Sequence, residues 1–206
     1  MAQKGMNTRR KIIDKALQLF SVKGYYHTSI NDILTATGLT KGGLYGHFAN
    51  KADIWYAAYE EAVGMWKRIV FKGIGHNTDP IERIERFIEN DVRYYLGEQT
   101  FEGGCFFLNM LVELSGQSAP MSRKILGGFV HLSELLQSWL EEARQRDLLR
   151  DGLDLEEIAD FIIITLNGAA ALYISSRDCR ILNHTVSQLR FYIRQLRRQE
   201  APVGLR

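Results

Sequence analysis

The residues best suited to chemistry lie between Ser29 and Lys51, in the stretch SINDILTATGLTKGGLYGHFANK. Two lysines of this stretch, Lys41 and Lys51, carry the positive charge that a nucleic-acid backbone attracts. Lys51 is expected in the first turn of a helix, where unpaired backbone N–H groups also favour an anion. These features predict phosphate contacts from both lysines.

The same stretch has the pattern of two short helices joined by a tight turn. Ser29 is suited to cap the first helix, with Asp32 three residues later to complete a capping box. Thr37-Gly38 breaks that helix, and Thr40 is suited to cap a second one over residues 41–47. This is the helix-turn-helix layout, in which the second helix enters the DNA major groove by its N-terminal residues.

The N-terminal edge of this second helix carries Thr40, Lys41 and Gly43, which are therefore expected to approach base edges. Gly42 and Gly43 each cost a helix roughly 1 kcal/mol relative to alanine. Two interpretations of that cost stay open. The backbone either comes close to DNA at these glycines, or a short helix simply tolerates them.

The string TKGGLYGHFANKADIW resembles the signature of the TetR family of one-component bacterial regulators. The family pattern is roughly Ser/Thr-Lys-Gly-x-Leu-Tyr-x-His-Phe-x-x-Lys-x-x-Leu, and Ile54 stands at its last position. Eight residues match it at fixed spacing: Thr40, Lys41, Gly42, Leu44, Tyr45, His47, Phe48 and Lys51.

The resemblance covers residues 6–66 and implies a DNA-binding head. It assigns Thr28, Tyr45 and His47 to phosphate contact as well. Gly43 and Gly46 depart from the residues that many relatives carry there, so the resemblance implies no particular operator sequence.

Charge is distributed unevenly along the 206 residues, whose net charge is +2. Residues 1–51 hold eight Lys and Arg against two Asp and Glu, a net charge of +6, whereas the remainder has a net charge of −4. A basic head on a mildly acidic body fits a DNA-contacting end joined to a part that need not touch DNA. We predict a helix-turn-helix domain over residues 6–66 and a ligand-binding and dimerisation domain over residues 67–206.

Helical periodicity runs through almost the whole chain, which has only three prolines. An all-α fold of about nine helices is therefore predicted. The expected helices are residues 8–23, 30–37, 41–47, 50–72, 79–96, 105–114, 118–146, 154–176 and 183–198.

The segments GGCFFLNMLVELS, PMSRKI and WLEEARQRDLL resemble a helical ligand-binding domain common in the family. The resemblance implies that the body binds a small molecule between its helices and forms dimers. Aromatic and polar residues together are the usual composition of such a pocket, which suits a largely apolar effector. The candidate pocket residues are Trp66, Phe87, Tyr94, Phe106, Asn109, Met110, Glu113, His131, Trp139 and Thr165.

The last two predicted helices have the pattern of a dimer interface. In the final helix apolar residues recur at spacings of 3, 4 and 3, and the helix before it is apolar on all sides. We predict that both pair with their two-fold copies in a four-helix bundle; the alternative is that both cover the monomer core. The predicted interface residues are Phe161, Thr165, Ala169, Val186, Leu189, Ile193 and Leu196.

Cys105 and Cys179 lie far apart without metal-ligand spacing, so no disulfide framework, metal site or cofactor is predicted. No apolar run reaches the roughly 18 residues of a membrane span. The polar N-terminal residues are not followed by an apolar signal region. We therefore expect a cytoplasmic protein without a membrane partner.

Together these patterns favour a ligand-responsive transcriptional repressor, which binds a pseudo-palindromic operator as a homodimer and is released by a small-molecule effector. Two alternatives keep DNA binding: an activator, or a sensor of oxidation through Cys105. A helical enzyme or carrier is the alternative from another class, and no set of catalytic residues supports it.

Overall fold

The computed structural model describes residues 2–75 and 78–198. This part of the chain confirms the all-α prediction. A π-helical segment, Asn90–Leu96, directly continues α5. The nine α-helices of the described residues are α1 (Ala2–Lys23), α2 (Ile30–Thr37), α3 (Lys41–Tyr45), α4 (Lys51–Val70), α5 (Pro80–Glu89), α6 (Phe106–Leu114), α7 (Ala119–Gln145), α8 (Leu155–Ser176) and α9 (Cys179–Gln195).

The helix caps predicted at Ser29 and Thr40 are confirmed. The Ser29 hydroxyl accepts the Asp32 N–H at 3.1 Å, and the Asp32 carboxylate accepts the Ser29 N–H at 2.8 Å. The hydroxyl of Thr40 accepts the N–H of Gly43, and the side chain of Asn50 caps α4 in the same way. These bonds join residues three apart in sequence, so local pattern is enough to predict them.

The largest differences from the sequence prediction are two helix starts and one helix type. α1 begins at Ala2, and α9 begins at Cys179, where the carboxylate of Asp178 accepts the N–H of Arg180 at 2.9 Å. The predicted helix over residues 79–96 changes to a π-helix at Asn90, with hydrogen bonds such as that from the Gly97 N–H to the Val92 carbonyl. Periodicity alone does not distinguish such a turn from a regular α-helix.

The head forms where α1 packs against both α2 and α4. Ile12, Ala16 and Phe20 of α1 are fully buried, as are Ile54 and Ala58 of α4. This packing fixes the position of the short α3. The head is joined to the body by α4, which runs continuously across the predicted domain boundary at residue 66.

α8 is long and apolar enough to span a membrane by length and composition alone, with a mean hydropathy of 1.7 in its most apolar window. Every window of about 18 residues in α8 includes Asp160, so the expectation that no uninterrupted apolar run reaches this length is not contradicted. α8 packs between α7 and α9, and Ile158, Ile162 and Leu166 on its inner face are buried. The hydropathy is that of a helix which also has apolar residues on its outer face.

The apolar residues of the last helix that we predicted at a dimer interface are buried within the monomer. Val186, Leu189, Ile193 and Leu196 are at most 2% exposed, because α9 turns this face towards α5 and α8. Ala169 is buried as well. The 3–4 spacing describes any helix that packs on neighbours, so it could not separate a dimer interface from a monomer core.

Candidate DNA interface and ligand cavity

The recognition helix α3 displays its N-terminal edge to solvent. Thr40, Lys41 and Gly42 are exposed, Gly43 is half-buried, and Lys41 makes no hydrogen bond or ion pair with any described residue. An added Cβ at Gly42 would meet no atom within 4 Å, and one at Gly43 would lie 3.4 Å from the Thr40 hydroxyl. Packing within the chain therefore does not require either glycine.

At the other end of the same surface, the side chain of Tyr45 is 48% exposed and His47 is half-buried. Leu44 and Phe48 point inward and are buried. The arrangement leaves one polar face that a major groove could receive.

The prediction that Thr28 contacts phosphate is wrong for this structure of the head. The residue is fully buried, and its hydroxyl donates to the carbonyl of Gly24 at 2.7 Å. The Thr28 N–H donates to the carbonyl of Tyr25. Both donors are therefore used to close the turn between α1 and α2.

The Lys51 ammonium, for which we predicted a phosphate contact, uses two of its three N–H donors within the head. Its Nζ donates to the carbonyls of Tyr25 and Thr28 at 2.9 and 3.0 Å, and lies 4.2 Å from the centre of the Tyr25 ring. Desolvation lowers the pKa of this ammonium. Lys51 thus stabilises the turn between α1 and α2 from the first turn of α4.

Glu113 of α6 binds the same turn from the body. Its two carboxylate oxygens accept the N–H groups of Tyr25 and Tyr26, each at 2.8 Å. Gly24 makes this approach possible, since a Cβ there would lie 2.6 Å from the carboxylate and the glycine has a φ of +83°. Glu113 therefore joins the body to the head and does not line a pocket, contrary to the prediction.

The body contains a cavity of about 520 Å³ between α4, the π-helical segment, α6, α7 and α8. Aromatic rings form much of its wall, and charged residues surround its opening. Its aromatic lining consists of Tyr59, Trp66, Phe87, Tyr95, Phe107 and Phe129. Of the predicted pocket residues, Trp66, Phe87 and His131 line it.

Asp91 is the polar residue of this cavity that sequence reasoning missed. It lies in the π-helical segment, is only 8% exposed, and accepts a hydrogen bond from Trp66 Nε1 at 2.9 Å. Burial raises the pKa of its carboxyl to about 6. The signal in the sequence was weak, because Asp91 stands next to Asn90 and two residues from Glu89 and Arg93, a pattern that also fits an exposed helix face.

Comparison with known proteins gives two family matches. Residues 12–58 match the model of the "Bacterial regulatory proteins, tetR family". Residues 80–189, more than half of the chain, match the "Tetracyclin repressor-like, C-terminal domain".

The chain belongs to the TetR family.

Similar proteins match most of its length. A TetR transcriptional regulator from Chloroflexus aurantiacus is 29% identical, with a TM-score of 0.88 over 96% of this chain and 100% of that one. The transcriptional repressor DhaR of Mycobacterium sp. is 25% identical over 78% of this chain and 79% of its own. A regulator from Saccharomonospora viridis, solved in complex with choline, is 18% identical and has the same fold, with a TM-score of 0.79 over 95% and 100% of the two chains. This TetR-family protein is thus a DNA-binding transcriptional regulator.

Several residues that we predicted to line the effector pocket of this TetR-family protein lie in its core. Phe106 is fully buried, and the Met110 sulfur accepts a hydrogen bond from Trp55 Nε1. The ring of Trp139 packs against those of Phe71 and Phe87. These three side chains pack in the core and are not among the residues that line the cavity.

The remaining predicted pocket residues turn away from the cavity. Tyr94 is 47% exposed, and Asn109 donates to the carbonyl of Gly103 at 2.7 Å. The hydroxyl of Thr165 donates to the carbonyl of Phe161 within α8. The π-helical turn places Asp91 and Tyr95 at the cavity instead of Tyr94, which sequence periodicity could not show.

Cys105 also lines the cavity, but as a buried thiol. Burial raises its pKa to about 11, and the hydroxyl of Tyr95 lies 3.7 Å from its sulfur. A thiol in this state is a weak nucleophile at neutral pH.

Proposed function

We propose that this TetR-family regulator is a repressor, which binds a pseudo-palindromic operator as a homodimer and is released when a small molecule occupies the body cavity. The observation that carries the proposal is the position of α4. The helix begins directly after the recognition helix, at Lys51, and lines the cavity with Tyr59, Val63 and Trp66. A displacement at one end of a rigid helix also moves its other end.

The DNA surface is the exposed edge of α3 with Thr40, Lys41 and Tyr45. Gly42 and Gly43 bring the backbone close to the groove, and His47 follows the end of α3. Lys41 supplies a cation that no described residue neutralises. The similarity to the repressor DhaR supports repression of transcription over activation.

A second copy of the chain supplies the other half of the operator contact. The outer face of α8 and α9 carries large apolar side chains, of which Phe161 is 45% exposed, Ile164 69%, Leu172 62% and Phe191 62%. Apolar groups this exposed on adjacent helices favour burial against a partner, and a two-fold copy is the commonest one. Two recognition helices then address two half-sites, whereas one short helix alone makes few contacts.

The effector is a small molecule that fits about 520 Å³ between the helices of the body. The choline-bound regulator from Saccharomonospora viridis supports only that this fold accommodates a small ligand. Release requires that the effector bind the DNA-incompetent state more tightly than the DNA-bound one. α4 and the Glu113 contact with Tyr25 and Tyr26 are the two routes from cavity to head.

The test uses the full chain and a DNA fragment from its own promoter. Fluorescence anisotropy should show sequence-selective binding, and native mass spectrometry of the purified protein should detect a co-purified small molecule. Adding that molecule should weaken operator binding, and operator should weaken its binding by the same factor. A molecule that stabilises the protein but leaves operator affinity unchanged contradicts the mechanism.

The alternatives differ in what they require. An activator would bind the same DNA but raise transcription from the promoter in a reporter assay. An oxidation sensor requires a reactive Cys105, and Cys105→Ser should keep the full response because the buried thiol is unreactive. A helical enzyme would show turnover without DNA binding, and we expect no turnover.

We also propose that the protein is cytoplasmic, because its operator lies in the cytoplasm.

A further inference from the structure

We propose that the cavity binds an organic ammonium ion, whose charged nitrogen pairs with Asp91 among aromatic rings. The inference rests on the proposed function, because it names the chemical class of the effector. Three observations support it: the unpaired buried carboxylate, the rings beside it, and the arrangement of the other charges.

The Asp91 carboxylate lacks a cationic partner among the described residues. Its one hydrogen bond comes from Trp66 Nε1, an uncharged donor, at 2.9 Å. A buried carboxylate that ionises without a counter-ion is costly, and a ligand cation relieves that cost by pairing with it. The residue also lies in a π-helical turn, a rare geometry that is frequent at functional sites.

Aromatic rings surround the same space. Trp66, Phe87, Tyr95 and Phe107 all line the cavity, with ring centres 6.1 Å apart for Trp66 and Phe87 and 6.2 Å for Trp66 and Phe107. The face of an aromatic ring attracts a cation, most strongly where water is excluded. The wall therefore suits a positively charged nitrogen with apolar substituents.

The other charged groups that face the cavity lie at its opening. Lys67, Arg123 and Lys124 are exposed, and Lys124 pairs with Glu60 at 2.7 Å. Exposed cations are screened by salt, so they counteract the buried carboxylate only weakly. His131 is exposed at the same opening.

The remaining titratable groups of the wall are uncharged at neutral pH. Burial raises the pKa of the Tyr59 and Tyr95 hydroxyls and that of the Cys105 thiol, which favours their neutral forms. Asp91 is therefore the anionic group that the interior presents to a ligand.

Three probes of matched size and different charge test the proposal: 2-phenylethylammonium, 2-phenylethanol and phenylacetate. Isothermal titration calorimetry of the DNA-free protein, cleared of co-purified ligand, measures their affinities. At pH 7.5 the ammonium should bind at least about tenfold more tightly than the alcohol, as expected for a charged hydrogen bond, and the carboxylate should bind most weakly.

Asp91→Asn keeps an acceptor for Trp66 and removes the charge, so it should reduce the preference for the ammonium to about twofold or less. Glu60→Gln is the matched control at the opening and should leave the preference unchanged. Lowering the pH to 5 should weaken ammonium binding about tenfold, because the carboxyl of Asp91 has a pKa of about 6. His131→Gln should retain that pH dependence, and Asp91→Asn should lose it.

The proposal is overturned if the alcohol or the carboxylate binds as tightly as the ammonium, or if Asp91→Asn keeps the preference. It is also overturned if no ammonium binding is seen at about 10 mM, a weak limit for a ligand of this size. Loss of preference in Glu60→Gln would move the site to the opening and also overturn it. None of these outcomes concerns operator binding, so a failure here leaves the proposed regulator intact. A protein that prefers the ammonium but does not bind DNA would refute only the proposed regulatory function.

Discussion

Glu113 holds the backbone of Tyr25: its carboxylate accepts the Tyr25 N–H at 2.8 Å. The carbonyl of the same Tyr25 accepts a hydrogen bond from Lys51 at 2.9 Å. One residue of the turn between α1 and α2 is therefore fixed by the body on one side and by α4 on the other. Phe107, on the same helix as Glu113, lines the cavity, so a ligand that displaces α6 would act directly on this turn.

The first prediction concerns this contact. Glu113→Ala removes the acceptor of two backbone N–H groups and should lower the free energy of unfolding by about 1–3 kcal/mol. It should also reduce the factor by which the co-purified effector weakens operator binding, because one route from cavity to head is lost. Urea unfolding and operator titrations with and without the effector measure the two effects.

Glu98→Gln is the control for Glu113→Ala, since Glu98 is exposed and forms no hydrogen bond or ion pair among the described residues. It should change neither quantity. If Glu113→Ala keeps the full effector response, α4 alone transmits the change and the Glu113 route is excluded.

The second prediction separates the two lysines of the head. Lys41→Ala should reduce the slope of log K against log salt by about one per operator half-site, because it removes a phosphate contact. Lys51→Met should leave the slope nearly unchanged and lower the free energy of unfolding by about 1–3 kcal/mol, because two carbonyls lose their donor. Binding isotherms at several salt concentrations, with thermal unfolding, distinguish them. A slope that falls in Lys51→Met and not in Lys41→Ala would reverse the assignment.

The third prediction concerns the dimer. Ile164→Asp places a charge on the exposed face of α8 and should convert dimers to monomers without loss of helicity. Leu189→Ala should instead lower the free energy of unfolding by about 2–5 kcal/mol, because it opens a cavity in the core. Sedimentation velocity and circular dichroism report on the two effects. A wild-type protein that sediments as a monomer at micromolar concentration would refute the interface.

The fourth prediction follows from the raised pKa of Asp91. The folded protein binds this proton more tightly than the unfolded chain, so the stability that the protonated group provides is complete below about pH 4 and is lost as the pH rises through about 6. A shift from 3.8 to about 6 corresponds to about 3 kcal/mol. Asp91→Asn should therefore raise the free energy of unfolding above pH 7 by up to that amount.

Urea unfolding of the ligand-free protein between pH 4 and 8 measures this difference. Asp32 is a useful contrast, because hydrogen bonds with Ser29 and Lys23 lower its pKa and reverse the sign of its own contribution. A constant difference between wild type and Asp91→Asn across this range would show that the carboxyl is not perturbed.

The sequence by itself determined the features that depend on neighbours along the chain. The caps at Ser29, Thr40 and Asn50 use bonds between residues three apart, so they fix where α2, α3 and α4 begin. The eight residues that match the TetR signature were sufficient to indicate the family and the DNA-binding head.

Tertiary structure decided which side chains meet across long separations. Glu113 and Tyr25 are 88 residues apart, and Lys51 binds a carbonyl 26 residues before it, so neither contact leaves a local pattern. The apolar residues from Val186 to Leu196, in α9 and at its C-cap, have the same periodicity whether they face a core or a second subunit. Asp91 lines the cavity because of the π-helical turn and the packing around it. Burial depends on which residues folding brings together, and the spacing of residues in the sequence does not specify that.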